Sequence, residues 1–392
     1  MFGALKGLRV IEMGQLIAGP FCGQLMADHG AEVIKVEQPG SGDPMRDWGR
    51  TKSLWWEVVG RNKKSITVNL RIPEGQDIIK RLVEKSDFLL ENFRPGTMER
   101  WGLGWEDLKA INSKLIMIRV SGYGQTGPYA HKAGYGGIGE AMGGLRNLVG
   151  EPSTPPSRVG ISLGDSLAAT LACLGAMMAL HHREKTGEGQ VVDSAIYEAV
   201  LAMMESLVPE YTETGFVRER TGSILPKIAP SNVYPTKDGS LLIGANQDSV
   251  FGRLCEAMDK PDLAQDPKYV SHSARGKNQQ QLDDLIAKWT ATLSTAELID
   301  LMEKHGVPSG KIYKVADMLE DPQYQARNAL VKLEHDQYKN LVMQNVFPKL
   351  SKTPGKVSKP APGLGQHNLN IFQELLGLDK DDIDRLMKQG AI

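Results

Sequence analysis

The chain has 392 residues, 41% of them hydrophobic and 24% charged, with a formal net charge of -1. This is an ordinary globular composition, long enough for two domains. The near-neutral balance excludes the broad positive footprint of a nucleic-acid binder, but it is compatible with a small basic pocket for a phosphate-bearing ligand. Cys22, Cys173 and Cys255 are far apart, with no C-x-x-C pair. That spacing argues against a disulfide framework or a zinc site and for a reducing compartment.

In chain order, Leu8 to Met13 reads as a buried strand, Gly14 to Pro20 (GQLIAGP) as a loop, Phe21 to His29 as a helix and Glu32 to Glu37 as a second strand. This β-α-β unit opens a parallel sheet covered by helices. Ser65 to Leu70, Phe88 to Glu91 and Leu115 to Ser121 are further strands, with helices over Gly75 to Lys85 and Trp105 to Asn112. The alternation predicts a doubly wound, Rossmann-like α/β domain. Ser162 to Glu184 is the strongest helical stretch, ended by Gly187, and Asp193 to Glu205 reads as a second long helix. The apolar run around Leu167 to Leu180 is short for a membrane span, and the N-terminal MFGALKGLRVIEMG lacks a signal-peptide core. A cytoplasmic enzyme with no membrane partner is therefore expected. Thr221 to Pro235 reads as a crossover. A smaller α+β domain follows, with the strand SLLIGA and helices from Ser249, Leu282 and Thr295. The expected division is 1–225 for the first part of the large domain, 226–320 for the small domain and 321–392 for the return.

Five segments have side chains suited to chemistry. The Gly14–Pro20 loop could bring backbone N–H groups to a phosphate, but Gly14, Gly19 and Gly23 lack dinucleotide-fingerprint spacing, and taken alone the motif reads better as a tight βα connection. The basic turn RNKKS contains Arg61 and Asn62. The segment ENFRPG, with the following ERWG, puts Asn92, Phe93, Arg94 and Arg100 at the carboxyl end of a strand, where open α/β sheets bind ligands and arginine can grip phosphate. The glycine-rich run from Val120 contains His131, Lys132 and Tyr135. Finally, Gly164-Asp165-Ser166 opens the long helix. Aspartate is a favoured N-cap, yet a carboxylate at a helix N-terminus is also a candidate nucleophile for acyl groups. Residue chemistry alone favours the cap.

The segments GQLIAGP, AEVIKVEQPG, NKKSITVNL, ENFRPG, SGYGQTGPY, GDSLAATLACLGAMMALHHREKTGEGQ and PAPGLGQHN occur in this order. Together they resemble the family III CoA-transferases (the CaiB/BaiF group), which include formyl-CoA and carnitine CoA-transferases, over nearly the whole chain. The resemblance implies a Rossmann-like large domain, a smaller domain and two chains interlinked as a homodimer. It implies Asp165 as nucleophile and coenzyme A as carrier substrate, without a tightly bound cofactor or metal. It also implies CoA contacts at Leu16, Ile17, Arg61, Asn62, Asn92, Phe93, Arg100 and the His131–Tyr135 loop. Three positions depart from the pattern. Gly136 replaces an acidic residue found in some members, Gln38 replaces an arginine, and Gly244–Ser249 has a single glycine where formyl-CoA transferase has a glycine-rich flap. The segment TGSILPKIAPSNVYPTKDG is similar to that of members using succinyl-CoA.

Three other readings compete. An α-methylacyl-CoA racemase needs a histidine beside Tyr135, and His131 falls a few residues early. A nucleotide-dependent oxidoreductase lacks its glycine fingerprint. A non-catalytic paralogue would be expected to have lost Asp165. A CoA-transferase acting on acyl-CoA and carboxylic acid substrates is the expectation.

Overall fold

The structure is a computed structural model and describes residues 3–50 and 54–392. Its centre is a six-stranded parallel sheet: β1 (Arg9–Glu12), β2 (Glu32–Glu37), β3 (Lys64–Thr67), β4 (Phe88–Glu91), β5 (Ile116–Ser121) and β6 (Val191–Ala195), in the order β3-β2-β1-β4-β5-β6. Buried strands of this kind need helices on both faces. Because side chains alternate along a strand, Ile11, Ile34, Leu89 and Met117 face one core, with Ile79, Leu82 and the C-terminal Phe372 and Leu386. Val10, Val33, Phe88 and Ile118 face the other, with Cys22, Met26 and a run of alanines from the long helix. Strand order reverses between β1 and β4, so the loops leaving their carboxyl ends diverge and open a crevice.

The sixth strand departs from the sequence reading, which predicted one helix over Asp193–Glu205. Val191–Ala195 instead pairs with β5 from Met117↔Val191 to Ser121↔Ala195, and Ile196–Leu201 is helical. The cause is tertiary. Gly189 passes so close to the preceding strand that a Cβ there would lie 1.8 Å from the Leu115 carbonyl oxygen. That approach delivers Val191 and Val192 to the open edge of β5, and pairing outweighs local helix preference.

The long helix spans Leu163–Thr186, with Ser162 at the N-cap position and Gly187 in left-handed conformation after its last turn. Asp165 therefore lies within the first turn and is not the cap. By length and composition this helix is long and apolar enough to cross a membrane. Here Ala168, Ala169, Ala172, Ala176 and Ala179 are buried against the sheet and the Ala18–Asp28 helix.

The chain forms two compact units. One comprises Met1–Arg146, Val159–Phe216 and Gln325–Ile392; the other comprises Asn147–Arg158 and Val217–Tyr324. The second contains an antiparallel sheet of β7 (Ser231–Pro235), β8 (Ser240–Gly244) and β9 (Ser309–Lys311), so the crossover read over Thr221–Pro235 ends in a strand. Helices Asp248–Ala257, Gln279–Thr290 and Thr295–Lys304 cover that sheet, with Tyr234, Leu241, Phe251, Leu282 and Met302 in the core.

In the first unit, β10 (Leu330–Leu333) and β11 (Leu341–Gln344) form a hairpin. The PAPGLGQHN segment then closes the β3 edge. His367 N donates to Ser65 O at 2.9 Å, and Ser65 N donates to His367 Nδ1 at 3.2 Å. Thr67 N donates to Asn368 Oδ1 at 2.9 Å. An exposed edge strand invites unwanted pairing, and this tail satisfies it from within the chain.

Candidate active site

The loop after β1 is held open by buried charges. Lys35 donates to the Gly14 carbonyl and, at 2.6 Å, to Asp43. Asp43 accepts the Leu16 N–H at 3.1 Å and the Met45 N–H at 2.9 Å. Burial opposes charge on Asp43, but the Lys35 ammonium outweighs it and holds the carboxyl below its ordinary range. These contacts keep Leu16 at a positive φ of 63°, which is costly for a residue with a side chain. Gly14 and Gly19 meet below, where a Cβ on either would lie 3.0 Å from the other's Cα. Asn92 then joins the β1 and β4 loops. It accepts Gln15 N at 2.7 Å on Oδ1 and donates to Gln15 O at 2.9 Å from Nδ2.

Beside this clamp, at the carboxyl ends of β1, β2 and β4, lies a cavity of about 280 Å³ lined by Met13, Gln15, Gln38, Leu70, Phe93 and Trp101, among others. Phe93 meets Trp101 edge to face with ring centroids 5.2 Å apart. Arg94 and Arg100 are exposed on the same segment, with Arg100 Nη2 donating to Thr97 Oγ1 at 2.9 Å. Behind them Glu91 is buried. Burial pushes its carboxyl up to about 7 against the pull of Arg119, which donates to it at 2.7 Å.

Arg61 and Asn62 are placed differently from these residues. Arg61 is 1% exposed. Its Nη2 and Nε donate to Asp28 at 2.6 and 3.1 Å, and its Nη1 donates to the Gln344 carbonyl at 2.6 Å. Asn62 donates to Asp28 and to Lys356 O, and it accepts from Ser358 N and Lys359 N. Both side chains thus use their hydrogen bonds inside the protein, tying the C-terminal segment to the Ala18–Asp28 helix.

The loop after β5 leads to Asp165. Gln125 N donates to Asp193 Oδ2 at 2.8 Å, fixing the loop to β6. Lys132 lies over the Tyr129 ring, 3.5 Å from its centroid. His131, Lys132 and Tyr135 are exposed. The Gly136–Met142 helix follows, and its glycines make close packing possible. A Cβ at Gly139 would lie 2.4 Å from Ile196, and one at Gly143 would lie 2.6 Å from Val200. A Cβ at Gly136 would lie 2.1 Å from Asp165 Oδ2. Any side chain at 136 would displace the Asp165 carboxylate from where it sits. An acidic residue stands one helical turn further on. Glu140, 1% exposed, accepts the Gly164 N–H at 3.2 Å and the Arg146 Nε–H at 2.8 Å. The sequence reading missed Glu140 and Arg146; their one available signal was helical spacing from Gly136.

Asp165 thus sits in the first turn of a 24-residue helix, where the helix dipole favours negative charge. Its neighbour Gly164 packs against Ile196, which follows the carboxyl end of β6. The loops after β1, β4 and β5 and the Asp165 turn all lie at the carboxyl edge of the sheet, the ligand-binding edge of open α/β folds.

Known proteins agree with this arrangement. Residues 5–368 match the model of CoA-transferase family III. A succinyl-CoA–D-citramalate CoA-transferase of Chloroflexus aurantiacus is 58% identical over 99% of this chain and 98% of its own length. The beta subunit of a succinyl-CoA–L-malate CoA-transferase from the same organism is 40% identical over 99% and 98%. The crystal structure of a CaiB/BaiF family protein from Brucella suis superposes with a TM-score of 0.85 at 33% identity, covering 96% of this chain and all of that one. With its fold and its sequence both matching, the chain belongs to the family III CoA-transferases.

Proposed function

We propose that this enzyme transfers coenzyme A between dicarboxylic acids with the Asp165 carboxylate as nucleophile. The observation that carries the reading is the placement of that carboxylate in the space vacated by Gly136, at the positive end of a long helix. Asp165 attacks the donor thioester carbonyl. The C–S bond breaks, giving a mixed anhydride and CoA thiolate. The thiolate attacks the aspartyl carbonyl, releases the donor acid and leaves an aspartyl-CoA thioester. The acceptor carboxylate attacks that thioester, re-forming an anhydride and the thiolate. Attack of the thiolate on the acceptor acyl carbonyl then yields the new acyl-CoA and frees Asp165. One thioester and one carboxylate enter and leave, so neither ATP nor metal is required. The protein's main task is to exclude water from the anhydride.

Coenzyme A is the carrier substrate. The Phe93–Trp101 cavity suits its base, the Leu16–Ile17 and Asn92 backbone clamp borders the chain, and Arg94, Arg100 and Lys132 supply positive charge for its phosphates. His131 and Tyr135 border the thioester end. We assign Arg61 and Asn62 a supporting role behind the first loop. The names of the two Chloroflexus relatives, both succinyl-CoA CoA-transferases, favour succinyl-CoA as donor and a hydroxylated dicarboxylic acid as acceptor. A homodimer is supported by the outer face of the long helix, where Leu174 and Met178 are 50% and 62% exposed. A patch of this kind calls for a partner, and light scattering should return twice the 42.9 kDa chain mass.

The mechanism is tested by Asp165→Ala. Turnover should vanish while coenzyme A binding and the circular dichroism spectrum persist, and hydroxylamine should convert the wild-type aspartyl thioester to a hydroxamate at residue 165. Near-normal turnover in the variant would remove Asp165 from the chemistry.

A further inference from the structure

Two side chains stand over adjacent glycines at the start of the Gly136–Met142 helix. The Asp165 carboxylate fills the Cβ space of Gly136, and Arg146 Nη2 lies 3.3 Å from the Cβ space of Gly137. Consecutive Cα atoms are about 3.8 Å apart, so the carboxylate and the guanidinium are separated by at most about 12 Å. A separation within that bound accommodates one type of acyl group. Nucleophilic attack needs about 3 Å and a charge-assisted hydrogen bond about 3 Å more, leaving room for a chain of four or five carbons between them.

Arg146 is built to wait there. Its side chain is 26% exposed, while Glu140 beneath it is 1% exposed. Glu140 takes the Nε–H at 2.8 Å, which fixes the plane of the guanidinium and leaves the terminal Nη1 and Nη2 donors for a second carboxylate in fork geometry. The other oxygen of Glu140 accepts Gly164 N, the residue before the nucleophile. One buried carboxylate thereby sets the positions of the nucleophile's turn and of the cation. Glycine at 137 keeps the path between them clear.

We propose that Arg146, oriented by Glu140, receives the remote carboxylate of dicarboxylic acyl groups as they react at Asp165, and so selects dicarboxylic over monocarboxylic substrates. This rests on the assignment of Asp165 as nucleophile. Arg146 touches substrate, and Glu140 is a positioning residue.

The test compares succinyl-CoA with butyryl-CoA, which has the same four carbons without the remote carboxylate. Arg146→Gln should lose about 100-fold in kcat/KM with succinyl-CoA, mostly through KM, and with it most of the wild-type preference for succinyl-CoA over butyryl-CoA. Arg146→Lys should recover part of the loss, and Glu140→Gln should weaken the discrimination. A loss equal for both donors, or no loss, overturns the proposal. A wild-type measurement does not depend on the variants folding: succinate, and not butyrate, should protect Arg146 from phenylglyoxal, read by peptide mass spectrometry. Equal protection by both acids also overturns it. Hydroxamate formation at Asp165 with either donor reports on the nucleophile separately, so failure of that assignment is distinguished from failure of this one.

Discussion

Gly136 and Asp165 share one space: the carboxylate of Asp165 occupies the volume that any side chain at 136 would need, with Oδ2 2.1 Å from the position of a Cβ. Gly136→Ala should therefore displace the Asp165 carboxylate while leaving the helix intact, since alanine favours helical structure. An ångström of misplacement costs about 100-fold in rate. The expected result is a kcat reduced by about that factor, with melting temperature and coenzyme A affinity close to wild type. Unchanged kcat would show that Asp165 is not held by this packing.

Arg61 and Asp28 form a pair buried to 1% and 3% exposure. Removing one member of a buried pair leaves the other charge uncompensated, at a cost of about 3–5 kcal/mol. Arg61→Ala should thus lower the unfolding free energy by about that amount and leave the KM for acyl-CoA largely unchanged in the folded fraction. Denaturant titration together with steady-state kinetics separates the two roles. A large rise in KM with normal stability would instead make Arg61 a direct ligand contact.

His367 sets a pH dependence. Burial, with the nearby Lys64 and Lys359, holds its imidazole below the ordinary histidine value of 6.5. The folded state thus prefers the neutral ring, which accepts Ser65 N on Nδ1. As pH falls from 6.5 toward the depressed folded value, the unfolded chain takes up the proton first and stability is lost. The contribution is complete above 6.5. His367→Asn keeps an acceptor but cannot titrate, so its melting temperature should fall less between pH 7 and 5 than that of wild type. Parallel profiles would exclude the histidine as a source of acid sensitivity.

By itself the sequence determined the first five strands of the sheet and the loops at their carboxyl ends. Buried strands such as Phe88–Glu91 are continuous apolar runs between turn signals, and the glycines and prolines of Gly14–Pro20 and ENFRPG mark loops at strand ends, because backbone conformation at these residues is a local property. The segment from Gly164 to Gln190 identifies the family for the same reason: its residue pattern is contiguous. Tertiary structure decided the rest. Val191–Ala195 is a strand because Gly189 can pass against Leu115, a contact between residues 74 positions apart. Arg61 looks like a solvent-facing cation in RNKKS and is buried because Asp28 lies opposite it. Asp165, a helix cap by residue type, lies inside the first turn, with its carboxylate in the cleft that Gly136 leaves open. Glu140 and Arg146 gave almost no sequence signal, since an acid and a base on a helical segment usually form a solvated surface pair. Burial of Glu140 beneath Arg146 gives this pair its meaning, and burial is a property of the folded chain.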